Sequence, residues 1–331
     1  MKKISVYPNF SNKGGAQNVA LQLAHNLNED FPIILTNIDK IDSDYKSQAT
    51  YLPFSFKIVR KLMGTNVLFL SHHRKTTSIL LLYSYLIKSP LHIIHVAHNT
   101  FTNLRYFTFF PKRIIAVSNG VKENLIHYFH QPEQRIQVIF NGLKDCGSER
   151  CLRLDAHDIR ILIPGRICSV KQQVEIVKYT RGKLLSHVHI YFAGVGEDEI
   201  ELRNVIGNSE QYHYLGYINL AENINQYDYV CLFSQKEGLP LSLIESCMFG
   251  KPMITNDLLS VMDVNRDGET GFVFKDFDSL VAGLNALPFV GTPEYIRLSN
   301  NARKRYEEYF TEDKMIEQYR KVINENLMIY K

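Results

Sequence analysis

The chain has 331 residues, 45% hydrophobic and 22% charged, a globular balance that can bury a full core and that suggests two domains or one large one. A formal net charge of +4 is too small to imply nucleic acid by itself, but it suits anionic small molecules or an anionic membrane face. Five cysteines, an odd number without a regular framework, fit a reducing compartment, and no apolar run reaches the ~18 residues of a membrane span.

The chain opens on a strand, ISVYP, and the loop NFSNKGGA follows with Gly14 and Gly15 adjacent. In AQNVALQLAHNL the apolar residues Ala16, Val19, Ala20, Leu23, Ala24 and Leu27 fall at the spacing of a helix with one buried face. Strand, glycine loop and helix are the opening of a doubly wound fold, and the first turn of such a helix offers free N–H groups to an anion. The three spaced glycines of the dinucleotide fingerprint are missing here and again in GVGEDE from Gly194, which disfavours a nicotinamide dehydrogenase. The start MKKISVYPNF turns polar too soon for a signal peptide.

Further strands are expected at 31–36, 66–71, 91–97, 113–118 and 136–140, with helical segments between most of them. The apolar run ILLLYSYLI, 79–87, reads as a core helix. Alternating strands and helices predict a parallel sheet. After NGLKDCGSERCLRLDAHD the pattern restarts, with strands at 159–166, 187–196, 212–218 and 228–234, then KPMITN and TGFVF. The boundary between two Rossmann-like α/β domains therefore falls near 143–158, dividing the chain into 1–145 and 146–314. Two such halves leave a cleft, a common place for a ligand. The residues from Pro293 to the end read as helices of mixed charge. Cys146 and Cys151 have no second pair nearby, so they do not indicate a zinc site.

Three stretches of the second half carry candidate chemistry. In SQKEGLPLSLIESCMFGKP, Glu237 lies on the loop after a strand, before Gly238, Leu239 and Pro240. Pro240 suits the first helical position, a short helix runs from Leu241 to Phe249, and Gly250 suits its end. Glu245 then sits among Leu, Ile, Cys and Met, where a carboxylate needs a partner, unless Glu237 is a solvated loop residue and Glu245 makes a surface salt bridge. In PGRICSVK, Arg166 follows a strand and Gly165, with Lys171 five residues on. Two cations beside a strand end suit a diphosphate, or are two solvated surface charges. In AGVGED, Gly194 and Gly196 let backbone approach a ligand, or make an ordinary tight turn. The Asp-x-Asp pairs Asp42/Asp44 and Asp276/Asp278 sit in polar loops and are a poor metal motif in a chain with 34 acids.

These stretches together resemble the retaining glycosyltransferases of family GT4, which have the GT-B fold of two Rossmann-like domains with parallel sheets facing across a cleft. KGGAQNVALQLAHNL resembles the family's N-terminal loop and helix, RIIAVSNGVKENL and IQVIFNGL its middle segments, ILIPGRICSVKQ its Gly-Arg…Lys-Gly motif, and EGLPLSLIE its E-x7-E motif. Phe140 stands where Pro is usual, and Gln172 where Gly is usual.

The resemblance implies that Glu245 takes hydroxyls of the nucleotide ribose and that Glu237 contacts the donor sugar near the reacting carbon. Gly165, Gly194, Gly238 and Leu239 would line the donor site, with N–H groups at 238–239 facing the sugar and diphosphate. Arg166 and Lys171 would neutralise the leaving phosphate with no metal and no cofactor. His98 matches a histidine near the donor sugar; as one of 12 histidines it could equally be structural, and His72 and His73 are rivals for its role. Gly15 would approach the phosphate or the acceptor, Ser118 is a further candidate contact, and Asn141 and Gly142 would shape a hinge. A C-terminal helix at about 315–331 is expected to pack back on the first domain.

The reading that results is a cytoplasmic, metal-independent hexosyltransferase of cell-surface polysaccharide synthesis. Its donor is a nucleoside-diphosphate sugar and its acceptor a glycan or a lipid-linked precursor. The segment 101–113, FTNLRYFTFFPKR, mixes aromatics with cations and suits contact with the inner face of the cell membrane, or is core aromatics with a solvated edge. Nucleic acid is not expected. Rival readings are a sugar-nucleotide epimerase of the same fold and a non-catalytic sugar-nucleotide-binding partner.

Overall fold

The computed structural model describes residues 1–12, 14–63, 66–147, 153 and 157–329, with side chains to 325 in the last helix; Cys151 and residues 330–331 lie outside the described residues. The chain divides into two compact units, Met1–Asn141 with Asp313–Lys331, and Gly142–Glu312.

The first unit holds seven parallel strands: β1 (Lys2–Val6), β2 (Ile33–Thr36), β3 (Thr50–Pro53), β4 (Val67–Ser71), β5 (Ile93–Ala97), β6 (Arg113–Ala116) and β7 (Ile136–Val138). Their order across the sheet is β3-β2-β1-β4-β5-β6-β7. β4 and β5 are buried along their whole length, which is why VLFLS and IIHVA read as continuous runs rather than alternating ones. β3 has no counterpart among the expected strands. It is an edge strand with exposed ends that finishes on Pro53, and an edge position tolerates a proline that a central one does not.

The second unit holds six parallel strands: β8 (Ile159–Pro164), β9 (Val188–Ala193), β10 (Tyr212–Gly216), β11 (Tyr229–Leu232), β12 (Met253–Asn256) and β13 (Gly271–Phe274), in the order β10-β9-β8-β11-β12-β13. At the base of the sheet the buried carboxylate of Asp228 accepts from the Arg160 backbone N–H at 2.8 Å and from Arg153 at 2.9 Å, which ties the starts of the adjacent strands β8 and β11 together.

The chain leaves the second unit through the helices Pro293–Tyr309 and Glu312–Ile329. The second of these buries Met315, Ile316, Tyr319, Val322 and Ile323, one face at helical spacing, and Arg320 donates to the carbonyl of Asn26 at 3.0 Å within the first unit. Residues 142–143 and 310–312 are hydrogen-bonded side by side, with Leu143 N–H on the Phe310 carbonyl and Glu312 N–H on the Leu143 carbonyl, both at 2.9 Å. A Cβ on Gly142 would stand 2.3 Å from the Thr311 carbonyl oxygen, so this position needs glycine.

One expectation is corrected. The run 79–87 belongs to the helix Arg74–Leu86, and that helix buries Thr76, Thr77 and Leu80 but exposes Ile79, Leu82, Tyr85 and Leu86. It is a helix with a bare apolar face rather than a core helix.

Candidate functional site

In a doubly wound sheet the crevice for a ligand opens where strand order reverses, beyond the carboxyl ends of the two strands concerned. In the second unit that place is between β8 and β11. The loop after β8 carries Gly165, Arg166 and Lys171, and the loop after β11 carries Glu237. The structure joins them: Lys171 Nζ lies 2.6 Å from Glu237 Oε1, with the two side chains only 21% and 10% exposed. An ammonium keeps two further N–H donors in such a pair, so Lys171 can hold Glu237 and still meet an anion.

Arg166 is placed differently. Its side chain is 68% exposed, and its ion pair to Glu197 is 3.4 Å long. A surface pair of that kind contributes ~0–1 kcal/mol and leaves the guanidinium free to swing to a phosphate.

The backbone under these side chains is held by its neighbours. Gly165 and Gly194 have φ of +137° and +145°, values that L side chains avoid. A Cβ on Gly194 would lie 1.9 Å from the Gly165 carbonyl oxygen, and one on Gly196 would lie 2.1 Å from that of Ile167. These two glycines therefore serve loop-on-loop packing, which seats the Gly165–Arg166 turn. Gln173, fully buried, donates to the Arg166 carbonyl at 3.0 Å and accepts from Cys168 N–H at 3.3 Å. The Glu237 loop is tied on two sides: Gln235 N–H donates to the Val170 carbonyl at 2.8 Å, and Ser260 Oγ donates to the Glu237 carbonyl at 3.0 Å. Gln173, Gln235 and Ser260 carry no charge and belong to no motif, so no sequence pattern marks them.

Gln172, where the related motif has glycine, sits in the left-handed region at φ +55°, ψ +25°. That conformation explains the preference for glycine, and this chain bears a strain of ~1–2 kcal/mol there.

Gly238 and Leu239 are buried, and the helix that follows runs from Leu241 to Met248. Pro240 is the extended residue just before it rather than its first residue, and Gly250 closes it at φ +63°. Glu245 is half-buried in that helix, and its carboxylate has no hydrogen-bond partner among the described residues. Burial pushes its pKa up to about 7.

In the first unit strand order reverses between β1 and β4. Gly15 opens the helix Gly15–Asn26 after β1, and His72 follows β4. His98 follows β5, and its Nε2 lies 2.9 Å from Nδ1 of His72, the two rings being stacked. Burial, with His98 and His95 nearby, drives the His72 pKa well down, and burial lowers that of His98 to about 4. Both rings are therefore neutral, and one must donate to the other. Nε2 of His72 is buried with no hydrogen-bond partner among the described residues. A bare acceptor is cheaper to bury there than an orphaned N–H, so the proton of His72 sits on Nδ1 and points to His98. His98 then carries its own proton on Nδ1.

Ser118 caps the helix Asn119–His127, accepting from Val121 N–H at 3.1 Å. Both Asp-x-Asp pairs are also helix starts: Asp42 accepts from Asp44 N–H at 3.0 Å, and Asp276 from Ser279 N–H at 2.8 Å. Among the described residues no cluster of three or more metal-ligating side chains occurs.

Two family models match the chain, glycosyltransferase family 4 over residues 13–145 and glycosyl transferases group 1 over 151–305. Similar curated proteins include an uncharacterised glycosyltransferase of Haemophilus influenzae, 29% identical over 41% of this chain and 40% of its own length. Another is the O-antigen biosynthesis glycosyltransferase WbnH of Escherichia coli, 25% identical over 46% of this chain and 44% of its own length. The chain thus spans less than half the length of these two relatives. Among solved structures, Anabaena Alr3699/HepE in complex with UDP and glucose superimposes with a TM-score of 0.83 at 15% identity, covering 98% of this chain and 99% of that one. The lipopolysaccharide outer core galactosyltransferase WaaB superimposes at 0.76 and 16% identity over the whole of both chains. At that identity the likeness establishes the shared GT-B fold.

Proposed function

We propose, for a chain that belongs to the GT4-type glycosyltransferases, that it moves a hexose from a nucleoside-diphosphate donor to a glycan or lipid-linked acceptor, with retention at the anomeric carbon. The observation that carries this reading is the half-buried Lys171–Glu237 pair across the β8/β11 reversal. A cation and an anion held there serve the two parts of one ligand, a diphosphate and a sugar.

The bond that breaks joins the anomeric carbon to a phosphate oxygen, so negative charge grows on the leaving diphosphate. Lys171 stands ready for it, and Arg166 swings in from the surface; charge stabilisation of this kind is often the largest catalytic contribution. The N–H groups around Gly238 and Leu239 add to it at the start of a helix. Glu237 accepts from sugar hydroxyls, and Glu245 takes the ribose hydroxyls. His98 offers its Nδ1–H to the donor sugar. Retention follows if the acceptor oxygen arrives on the face the diphosphate leaves, where a phosphate oxygen can take its proton. No metal or cofactor enters this scheme.

The relatives named for O-antigen biosynthesis favour a polysaccharide or lipid-linked acceptor and hence a cytoplasmic site of action. Among the described residues no helix is long and apolar enough to cross a membrane. The test pairs binding with turnover. Nucleoside diphosphates and their sugars are screened for a rise in melting temperature, and transfer is then measured with Lys171→Ala, Glu237→Ala and the double variant. The double variant removes both charges, so it avoids leaving one buried and alone. Loss of transfer with the fold kept is expected. Turnover by both single variants at the parental rate refutes the assignment, and conversion of the donor to its epimer without acceptor would favour the epimerase.

A further inference from the structure

We infer that the first unit docks on an anionic lipid bilayer through one continuous face, built from the helix Phe56–Met63, the helix Arg74–Leu86 and the segment 101–109. Three contacts make the face continuous. Phe56 stacks on Tyr83 with ring centroids 4.5 Å apart. Phe109 N–H donates to Ser78 Oγ at 2.9 Å. The Arg74 guanidinium lies over the Phe101 ring at 4.1 Å and donates to the Asn103 carbonyl at 2.6 Å.

This face leaves large apolar groups in water. Ile79, Leu82 and Leu86 form a stripe on their helix beside Tyr85, which is 80% exposed. Tyr106 and Phe107 are 82% and 77% exposed, and Phe109 also faces solvent. A bare patch of this kind marks an interaction surface, and aromatic rings among aliphatic ones suit the headgroup level of a bilayer.

The charge pattern selects the partner. From Tyr45 to Lys122 the chain contains 11 Lys and Arg and no Asp or Glu at all. Taking those 11 from the total of 38 leaves 27 cations against 34 acids elsewhere, so the rest of a +4 chain is acidic by 7. Lys57, Arg60, Lys61, Lys75 and Lys88 are all exposed on or next to the two helices. Clustered cations beside apolar groups bind anionic lipid, since each cation gains from the negative surface while the apolar groups enter the interface. A second copy of the chain is a poor cover, because two acid-free faces repel. A single-stranded nucleic acid would use the rings and the cations but would leave Ile79, Leu82 and Leu86 wet.

The test is co-sedimentation of the full chain with vesicles of phosphatidylcholine alone and of phosphatidylcholine with phosphatidylglycerol. Binding is expected only to the second, and is expected to fall steeply as salt is raised. Two double variants follow, Lys75→Glu/Lys88→Glu and Tyr106→Ser/Phe107→Ser, each expected to weaken vesicle binding at least about tenfold. The rise in melting temperature with nucleoside diphosphate should survive in both, which shows that they fold and keeps this result separate from the donor-site reading. Equal binding to both vesicle types, no binding, or parental binding by both variants overturns the proposal. So does a single-stranded oligonucleotide that binds more tightly than the anionic vesicles.

Discussion

Glu245 offers the sharpest quantitative test, because one group is expected to set the pH dependence of both stability and nucleotide binding. Folding raises its pKa from 4.5 to about 7, and the cause is burial. A carboxyl raised in this way costs nothing below its unfolded value and its full penalty above its folded one. Stability of the second unit therefore falls as pH rises through the window between 4.5 and about 7. A shift of this size corresponds to a penalty of about 3 kcal/mol above the window, of which about 2.5 kcal/mol develops between about pH 5 and about pH 8. Glu245→Gln keeps the shape and removes the ionisation. The melting temperature of the variant relative to the parent should therefore climb by about 5–10 °C over that pH range, for a unit of this size.

The proposed nucleotide binding should carry the opposite dependence. If the carboxylate accepts ribose hydroxyls, the ligand stabilises the ionised form and lowers the pKa again. Below about pH 7 binding must then release a proton, and affinity should fall by up to about tenfold per pH unit. Melting curves of both proteins at several pH values, with and without nucleoside diphosphate, measure both effects. A gap between variant and parent that stays constant with pH would refute the burial argument. Affinity that ignores pH in the parent would refute the ribose contact.

Three further outcomes are expected. Gly194→Ala forces a Cβ against the Gly165 carbonyl at 1.9 Å and should destabilise the second unit by about 3 kcal/mol or more in urea melts, whereas Gly182→Ala, with φ +70° but nothing within 4 Å, should lose only about 1–2 kcal/mol. Gln172→Gly relieves the left-handed strain beside Lys171 and, after the entropy of glycine, should gain about 0.5–1 kcal/mol by the same melts; a loss would show that the Gln172 side chain has a role of its own. His72→Phe removes the hydrogen bond to His98 and should lower kcat/KM about tenfold, whereas His72→Asn, which can place an N–H where Nδ1 was, should restore much of it. Nitrogen NMR of His98 should show its proton on Nδ1 in the parent and a mixture of tautomers in His72→Phe; the same tautomer in both would dismiss the positioning role.

The strands were legible because parallel strands buried on both faces must be apolar throughout, as in VLFLS and IIHVA. β3 was not, since an edge strand of four residues ending in proline carries no such run. The helix Arg74–Leu86 was misread for a related reason. Its run is apolar on the buried face and on the exposed one, and composition alone cannot separate a core helix from one with a face kept bare. Gly194 and Gln172 show the same limit at single positions. Their backbone angles are set by a neighbouring loop and by the start of a helix, so residue type was visible while its cause was not.

The pairing of Lys171 with Glu237 spans 66 residues, and no local pattern could have brought them together. Topology does so. In each sheet the first strand lies inside, with the chain winding outward on one side and then crossing to begin the other: β1 beside β4, and β8 beside β11. Loops that leave two such strands diverge to opposite sides, so a crevice stays open between their carboxyl ends. In the second unit that opening is flanked by the cation and the carboxylate. In the first it is flanked by the Gly15 helix start and by His72, which reaches His98 one strand further on. Chemistry-bearing residues sit at both reversals because those are the places where a doubly wound sheet leaves such a crevice. The motifs are thus separated in sequence by the strands that must be laid down before the sheet can turn back past its starting point.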